Sequence, residues 1–219
     1  MDIIVFTIRD EELRLLLVKR GEEPFRGTWA LPGGFVRPEE HLRQAAGREL
    51  EEETGVSESG WLEQIGAYGA PDRDPRMRVI TVAYGAICRD LPQPGAGGDA
   101  ARATLAPVAE IESGRIGLAF DHPTIVGDAV ERLRARIKTP AVAAPFCPPK
   151  FTIGQLRRVH EAVLGKTLNP GNFLRQSRQS PWLARTGRLS VSDVAGGRPA
   201  SVWKLVQPSA EPLQKPRQR

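Results

Sequence analysis

Apolar and polar residues are distributed along the chain as short strand-like runs interrupted by amphipathic stretches. Ile3 to Ile8 and Leu13 to Lys19 are apolar and β-prone, and Arg9-Asp10-Glu11-Glu12 between them suits a hairpin. A polar loop, Arg20 to Gly27, leads into a short strand at Thr28-Trp29-Ala30-Leu31, where Trp29 suits the core better than a ligand-stacking role. Pro32-Gly33-Gly34 ends that strand. Pro38 fits a first helical turn and Gly55 a left-handed terminator, so a helix is predicted from Pro38 to Thr54, with Leu42, Ala45, Ala46 and Leu50 on its apolar side. Two more strands follow, Trp61 to Tyr68 and Arg78 to Ile87, the second alternating Val79, Thr81 and Ala83 against Ile80, Val82 and Tyr84. Leu91 to Ala103 is rich in Gly, Pro and Ala and reads as a mobile loop. Asp121 can cap a helix whose apolar positions are Ile125, Ala129, Val130, Leu133 and Ile137, with His122 in the capping turn.

Thr139 to Pro149 holds four prolines among alanines, the composition of a linker, and divides the chain into 1–140, a linker at 141–150, and a small module at 151–207. Thr152-Ile153-Gly154-Gln155 has capping-box spacing and opens a helix with Ile153, Leu156, Val159 and Val163 inside, ending near Gly165. Asn169-Pro170 starts a second helix anchored by Phe173 and Leu174. An alternating run from Arg185 to Val194, a turn at Ala195-Gly196-Gly197-Arg198 and a return strand from Ser201 to Val206 complete the order helix, turn, helix, hairpin, which is that of a winged helix. Residues 208–219 read as a disordered basic tail.

Charge sharpens this division. Residues 1–140 carry 18 Lys/Arg against 23 Asp/Glu, and residues 141–219 carry 13 against 3, so the net of +5 splits into −5 and +10. An acidic part joined to a strongly basic one suggests a small-molecule module attached to a polyanion-binding module. Cys88 and Cys147 lie far apart in sequence with no nearby His or Cys, which indicates neither a disulfide framework nor a zinc site and suits a reducing compartment. No basic leader precedes the first apolar run and no stretch approaches ~20 apolar residues, so neither export nor membrane spanning is expected.

The strongest chemical signal lies in the first helix. Glu49, Glu52 and Glu53 fall at i, i+3 and i+4, which puts three carboxylates on one face, where they must be fully solvated or share a cation. Hard oxygen ligands of this kind suit Mg2+ or Mn2+ together with a substrate's phosphates. The run Gly34, five residues, Glu40, seven residues, Arg48-Glu49-Leu50, one residue, Glu52-Glu53, one residue, Gly55-Val56 resembles the complete signature of the Nudix hydrolase superfamily. That resemblance implies an α/β/α sandwich, a divalent metal held by Glu49, Glu52 and Glu53, an ion pair from Arg48 to a glutamate, Glu40 as an outer supporting carboxylate, and Gly34 at the ligand. The implied substrate is a nucleoside diphosphate linked to another group. Pro71-Asp72-Arg73-Asp74-Pro75-Arg76 is either a solvated hairpin tip or, with Arg20 and Arg26, a guanidinium clamp for a diphosphate or ribose. The string is similar to the equivalent loop of Nudix proteins that take ADP-ribose, which favours ligand contact for Arg73 and Arg76.

In the basic part, Asn172, Arg175, Gln176 and Gln179 share the outer face of the second helix, with Arg178 beside them. Amides and guanidinium groups so placed can read base edges in the major groove, or can simply face water. Arg188, and Arg198 at the hairpin tip, are placed for phosphate. An amino-terminal Nudix domain followed by a winged helix resembles the Nudix-related transcriptional regulators of bacterial NAD metabolism. The resemblance implies a cytoplasmic, nucleoid-associated homodimeric repressor that binds palindromic operator DNA and is released by ADP-ribose or a related nucleotide. Many such regulators have degraded signatures, whereas this chain keeps every catalytic position, so an Mg-dependent ADP-ribose pyrophosphatase with an accessory basic domain stays open. A decapping-like enzyme acting on RNA ends would explain the basic domain but not its helix order.

Overall fold

The computed structural model describes residues 1–56, 61–91, 103–190 and 199–206. Strand β1 (Asp2–Arg9) turns back into β2 (Glu12–Lys19) through Asp10 and Glu11, both left-handed at φ 54° and 60°, the pair of positive dihedrals that a tight two-residue hairpin needs. β1 also pairs in parallel with β5 (Thr81–Ile87), and β5 pairs antiparallel with β4 (Leu62–Tyr68). β2 carries β3 (Trp29–Ala30) and β6 (Ala103–Pro107), completing a mixed six-stranded sheet.

The period-two rule for strands explains how both faces of this sheet are covered. Ile3 and Val5 of β1 pack with Ala46 and Leu50 of helix α1 (Leu42–Thr54). Ile4 and Phe6 belong to the opposite core with Ile125, Ala129, Val130 and Leu133 of α3 (His122–Arg136). A short helix α2 (Val108–Glu112) leads from β6 toward α3. The result is the expected α/β/α sandwich.

Several boundaries differ from the sequence pattern, each for a physical reason. Helix α1 begins at Leu42 rather than Pro38, because the Glu40 carboxylate accepts the Arg37 N–H at 2.8 Å and pairs with Arg48, which holds residues 37–40 as a turn. The Gln44 side chain then accepts from the His41 N–H. Leu42, expected on the apolar side, is consequently exposed at the first position, while Ala45, Ala46 and Leu50 are buried. β5 begins at Thr81, leaving Ile80 65% exposed in the loop before it. Asp121 stands at the N-cap of α3 but makes no side-chain cap; its carboxylate is taken by Arg73.

The stretch expected to be a linker is packed. It folds as α4 (Pro140–Ala143) and a 3-10 turn (Ala144–Phe146), and Val142, Ala143, Phe146 and Cys147 are buried. Beyond it come β7 (Phe151–Thr152), α5 (Ile153–Leu164), α6 (Pro170–Arg178), β8 (Leu183–Leu189) and β9 (Ser201–Leu205), with the strands ordered β7-β9-β8. This is the winged helix, with a short third strand that the sequence pattern did not suggest. The capping box at Thr152 and Gln155 forms both of its hydrogen bonds, and Asn169 caps α6 by accepting the Asn172 N–H. One apolar cluster runs from Phe6 and Leu133 through Phe146 to Leu156, Val163, Leu183 and Trp203, so the two modules share a continuous core. Arg134 strengthens the junction by donating to the Val163 carbonyl at 3.1 Å. No helix among the described residues is long and apolar enough to cross a membrane.

Candidate functional site

Helix α1 presents its carboxylates beside the glycine turn that follows β3. Gly34 lies against Glu49 so closely that a Cβ there would meet the Glu49 Oε1 at 2.5 Å. Glu49 is buried, whereas Glu52 and Glu53 are exposed. Arg48 is the hub of the cluster. Its Nη2 and Nε donate to the two Glu40 oxygens at 2.7 and 3.1 Å, and its Nη1 donates to Glu49 Oε1 at 2.7 Å and to Glu52 Oε2 at 3.1 Å. The Arg48 pair and the Arg37 N–H hold the Glu40 carboxyl down at about 2. Glu53 stands outside this network. Partial burial, then the negative charges of Glu49 and Glu52, push its carboxyl above the ordinary glutamate value.

Those facts define how well a cation fits. Among the described residues no group of three or more His, Cys, Asp or Glu converges to hold a metal ion, because Arg48 holds Glu49 and Glu52. The donor chemistry nevertheless fits a hard divalent ion: three carboxylates lie within one helical turn, and partial burial together with the charges of Glu49 and Glu52 raises Glu53. Rotating Glu49 and Glu52 away from Arg48 would free them as oxygen ligands.

The arginine loop joins β4 to β5, but its two arginines have different fates. Arg73 turns inward, with 6% of its side chain exposed, and its Nε and Nη2 donate to the two Asp121 oxygens at 2.9 and 2.8 Å, with Asp2 3.4 Å away. His122, buried at the start of α3, accepts the Leu31 N–H on Nδ1 and places Nε2 3.5 Å from Asp2. Burial works against the Asp2 carboxylate, yet the His122 contact outweighs it and holds its pKa below the usual value. Arg76 is half exposed and pairs with the buried Asp74, 2.8 Å away. Arg20 bonds the Pro24 carbonyl at 2.7 Å and stacks 4.6 Å over the Phe120 ring, which also meets Phe25 edge-on. Arg26 is exposed. The partners of Arg73 were not visible in sequence because Asp2 and Asp121 lie 71 and 48 residues away.

In the winged helix, Asn172, Arg175, Gln176, Arg178 and Gln179 are all exposed along α6, and Arg175 bonds Asn172 at 3.2 Å. Arg188 is exposed on β8; Arg198 and the tail at 208–219 lie outside the described residues, as does most of the Leu91–Ala103 loop. Cys88 and Cys147, distant in sequence, line one cavity of about 430 Å3. Burial pushes their thiols up to about 11 and about 12, so neither is a ready nucleophile or metal ligand near neutral pH.

The NUDIX domain family matches residues 1–126, and the NrtR DNA-binding winged helix domain matches residues 143–205. The ADPR responsive transcriptional repressor NtrR of Acinetobacter baylyi is 31% identical over 210 residues, 94% of this chain and 80% of its own length. The ADP-ribose pyrophosphatase of Methanocaldococcus jannaschii is 38% identical over 128 residues, 58% of this chain and 71% of its own. Among solved structures, Shewanella oneidensis NrtR complexed with a 27mer DNA superposes with a TM-score of 0.78 at 32% identity, covering 94% of this chain and 92% of that one. The NUDIX domain of the same protein complexed with ADP ribose gives 0.51 at 35% identity, covering 60% and 85%.

Proposed function

The chain belongs to the Nudix family, with an NrtR winged helix behind its Nudix domain, and on that premise we propose that it is an ADP-ribose-responsive transcriptional repressor. The Nudix domain binds ADP-ribose or a related nucleotide, and the winged helix binds operator DNA. The observation that carries this reading is that both domains match the repressor relatives over 94% of the chain. The pyrophosphatase relative covers only 58% and accounts for nothing beyond the Nudix domain.

The fold supplies a route between the two functions. Helix α3 begins where Arg73 grips Asp121 and ends where Arg134 bonds the α5 carbonyl of Val163, so a ligand that draws on the arginine loop can bias the position of α5 and α6. Arg76 and Arg26 face solvent and are the guanidinium groups available to phosphate or ribose; Arg20 and Arg73 support them from within. Asn172, Arg175, Gln176, Arg178 and Gln179 address base edges and Arg188 and Arg198 address phosphate. The reading extends to a homodimer on a palindromic site in the bacterial cytoplasm, at the nucleoid. Genome-wide capture of DNA by the purified protein, with and without ADP-ribose, tests it. Enrichment of discrete sites that ADP-ribose abolishes is expected; uniform recovery of DNA in both samples rejects it.

A second reading, ADP-ribose hydrolysis, is favoured by the complete set of Glu40, Arg48, Glu49, Glu52 and Glu53. Nudix proteins typically use divalent cations, and here Glu49, Glu52 and Glu53 would hold Mg2+ or Mn2+. When bound, such an ion polarises a phosphoryl oxygen and acidifies a coordinated water. Arg48 and Glu40 orient Glu49, and Gly34 leaves it room. Release of AMP from ADP-ribose by the full chain is the measurement that decides whether the sensor also consumes its ligand.

A further inference from the structure

The winged helix contains a cleft of about 820 Å3 between the start of α5, helix α6 and the β8–β9 hairpin. Arg157 from α5, Arg178 from α6 and Arg185 from β8 line it, and among the described residues no acidic side chain does. Phe173 and Leu174 form part of its wall and Trp203 part of its floor. Arg185 stands opposite Trp203 in strand register and stacks 5.2 Å over that buried ring, which fixes the guanidinium while leaving it exposed. Among the described residues Arg178 and Arg185 have no carboxylate partner, and Arg157 pairs with Glu161, 2.6 Å away. Glu161 is itself the sole acidic side chain among the described residues after 150. Arg178 and Arg185 thus turn two uncompensated guanidinium groups toward one cleft, with Arg157 beside them, a positive lining that favours a polyanion.

The position of the cleft says which polyanion. A helix that enters a major groove and a hairpin that reaches the neighbouring minor groove are separated by the strand of sugar-phosphate between those grooves. We propose that this cleft seats that backbone segment, with Arg157, Arg178 and Arg185 as its phosphate contacts, one from each wall. The inference rests on the repressor reading and deepens it. Arg157 and Arg185 are added to the DNA-contacting residues, and Arg178 moves from base reading to phosphate binding. The contact is independent of sequence, so it sets affinity and register while the outer face of α6 sets choice.

The test is duplex binding by the full-length protein, measured from low to physiological salt on a captured site and on random DNA, with Arg185→Gln, Arg157→Gln and Arg185→Lys beside wild type. Each glutamine variant is expected to weaken both duplexes by the same factor and to flatten the slope of log affinity against log salt by about 0.9. Arg185→Lys keeps the charge and should restore most of the slope. Because Arg157 holds Glu161, the Arg185 pair carries the test if Arg157→Gln melts early. Glutamine variants whose slopes equal that of a DNA-binding wild type overturn the cleft alone. A loss confined to the captured site also overturns it, since that is the mark of base reading. A wild type with no duplex affinity overturns the repressor reading together with the cleft.

Discussion

Gly34 and Glu49 are packed so tightly that a single methyl group between them would sit 2.5 Å from the carboxylate oxygen. Gly34→Ala should therefore rotate Glu49 away from its place without removing any charged group. The expected result is a loss of Mn2+ affinity of about 10- to 100-fold, the range seen when an orienting neighbour of a ligand is changed. The melting temperature should move little. Calorimetric titration with Mn2+ and a thermal melt, run on one sample, separate the two.

Glu52 and Glu53 face solvent, and removing either charge should spare the fold. Glu52→Gln and Glu53→Gln are each expected to weaken Mn2+ binding and to abolish any release of AMP from ADP-ribose. A fall in melting temperature comparable to that of a core truncation, with Mn2+ affinity unchanged, would make the carboxylates structural.

The two arginines of the loop should fail differently. Arg73→Ala strands Asp121 and the largely buried Asp2 without their cation, which is expected to cost about 3 kcal/mol of stability. Arg76→Ala breaks a pair whose arginine is half exposed although Asp74 is buried, and Arg73 stays beside that carboxylate, so it should lower melting less than Arg73→Ala does and should lower affinity for ADP-ribose. Thermal melts and calorimetry with ADP-ribose on the full chain give both readings, and equal stability losses would contradict the assignment.

How much of this was legible in the sequence depends on how far apart the interacting residues lie. Local chemistry was readable: Thr152 with Gln155, Asn169 with Pro170, and the inner face Ile153, Leu156, Val159 and Val163 all appear as the pattern requires. The inward turn of Arg73 was not, since it is decided by carboxylates at positions 2 and 121 that only the folded chain brings together. The start of α1 was misread because Pro38 suits a turn as well as a first helical residue, and the long-range pull of Arg48 on Glu40 chooses the turn. Residues 141–150 have the composition of a linker, but Val142 and Phe146 find apolar partners in both modules.

His160 gives a pH prediction. It is buried against Phe173 at 4.8 Å, and its Nδ1 meets the Leu156 carbonyl at 2.8 Å. Burial lowers its pKa below the ordinary value of about 6.5, outweighing the carbonyls of Leu156 and Ile137, which favour the charged ring. The unfolded chain then binds the proton more readily, so stability is full above pH ~6.5 and declines as the pH falls from there through the folded value. His160→Gln should flatten the decline in melting temperature between pH ~6.5 and 5; an unchanged profile would show that other groups cause it.

Helix α6 yields the sharpest functional contrast, because Arg175 and Arg188 are both exposed arginines in one small domain yet should contribute in different ways. Arg175 sits on the outer face of α6, steadied by Asn172, where a guanidinium can address two acceptors of one base. Its replacement by Ala should cost about 1–3 kcal/mol on the preferred operator and almost nothing on random DNA. Arg188 lies exposed on β8, and a phosphate contact there carries no sequence information. Arg188→Ala should weaken both duplexes alike and lower the salt slope by about one unit. ADP-ribose should weaken both variants by the same factor as wild type, since neither residue touches the nucleotide domain's ligand. Fluorescence anisotropy on operator and random duplexes, at two salt concentrations and with or without ADP-ribose, distinguishes the roles. If Arg175→Ala weakens random DNA as much as operator, α6 lies along the backbone, and sequence choice must come from another part of the chain.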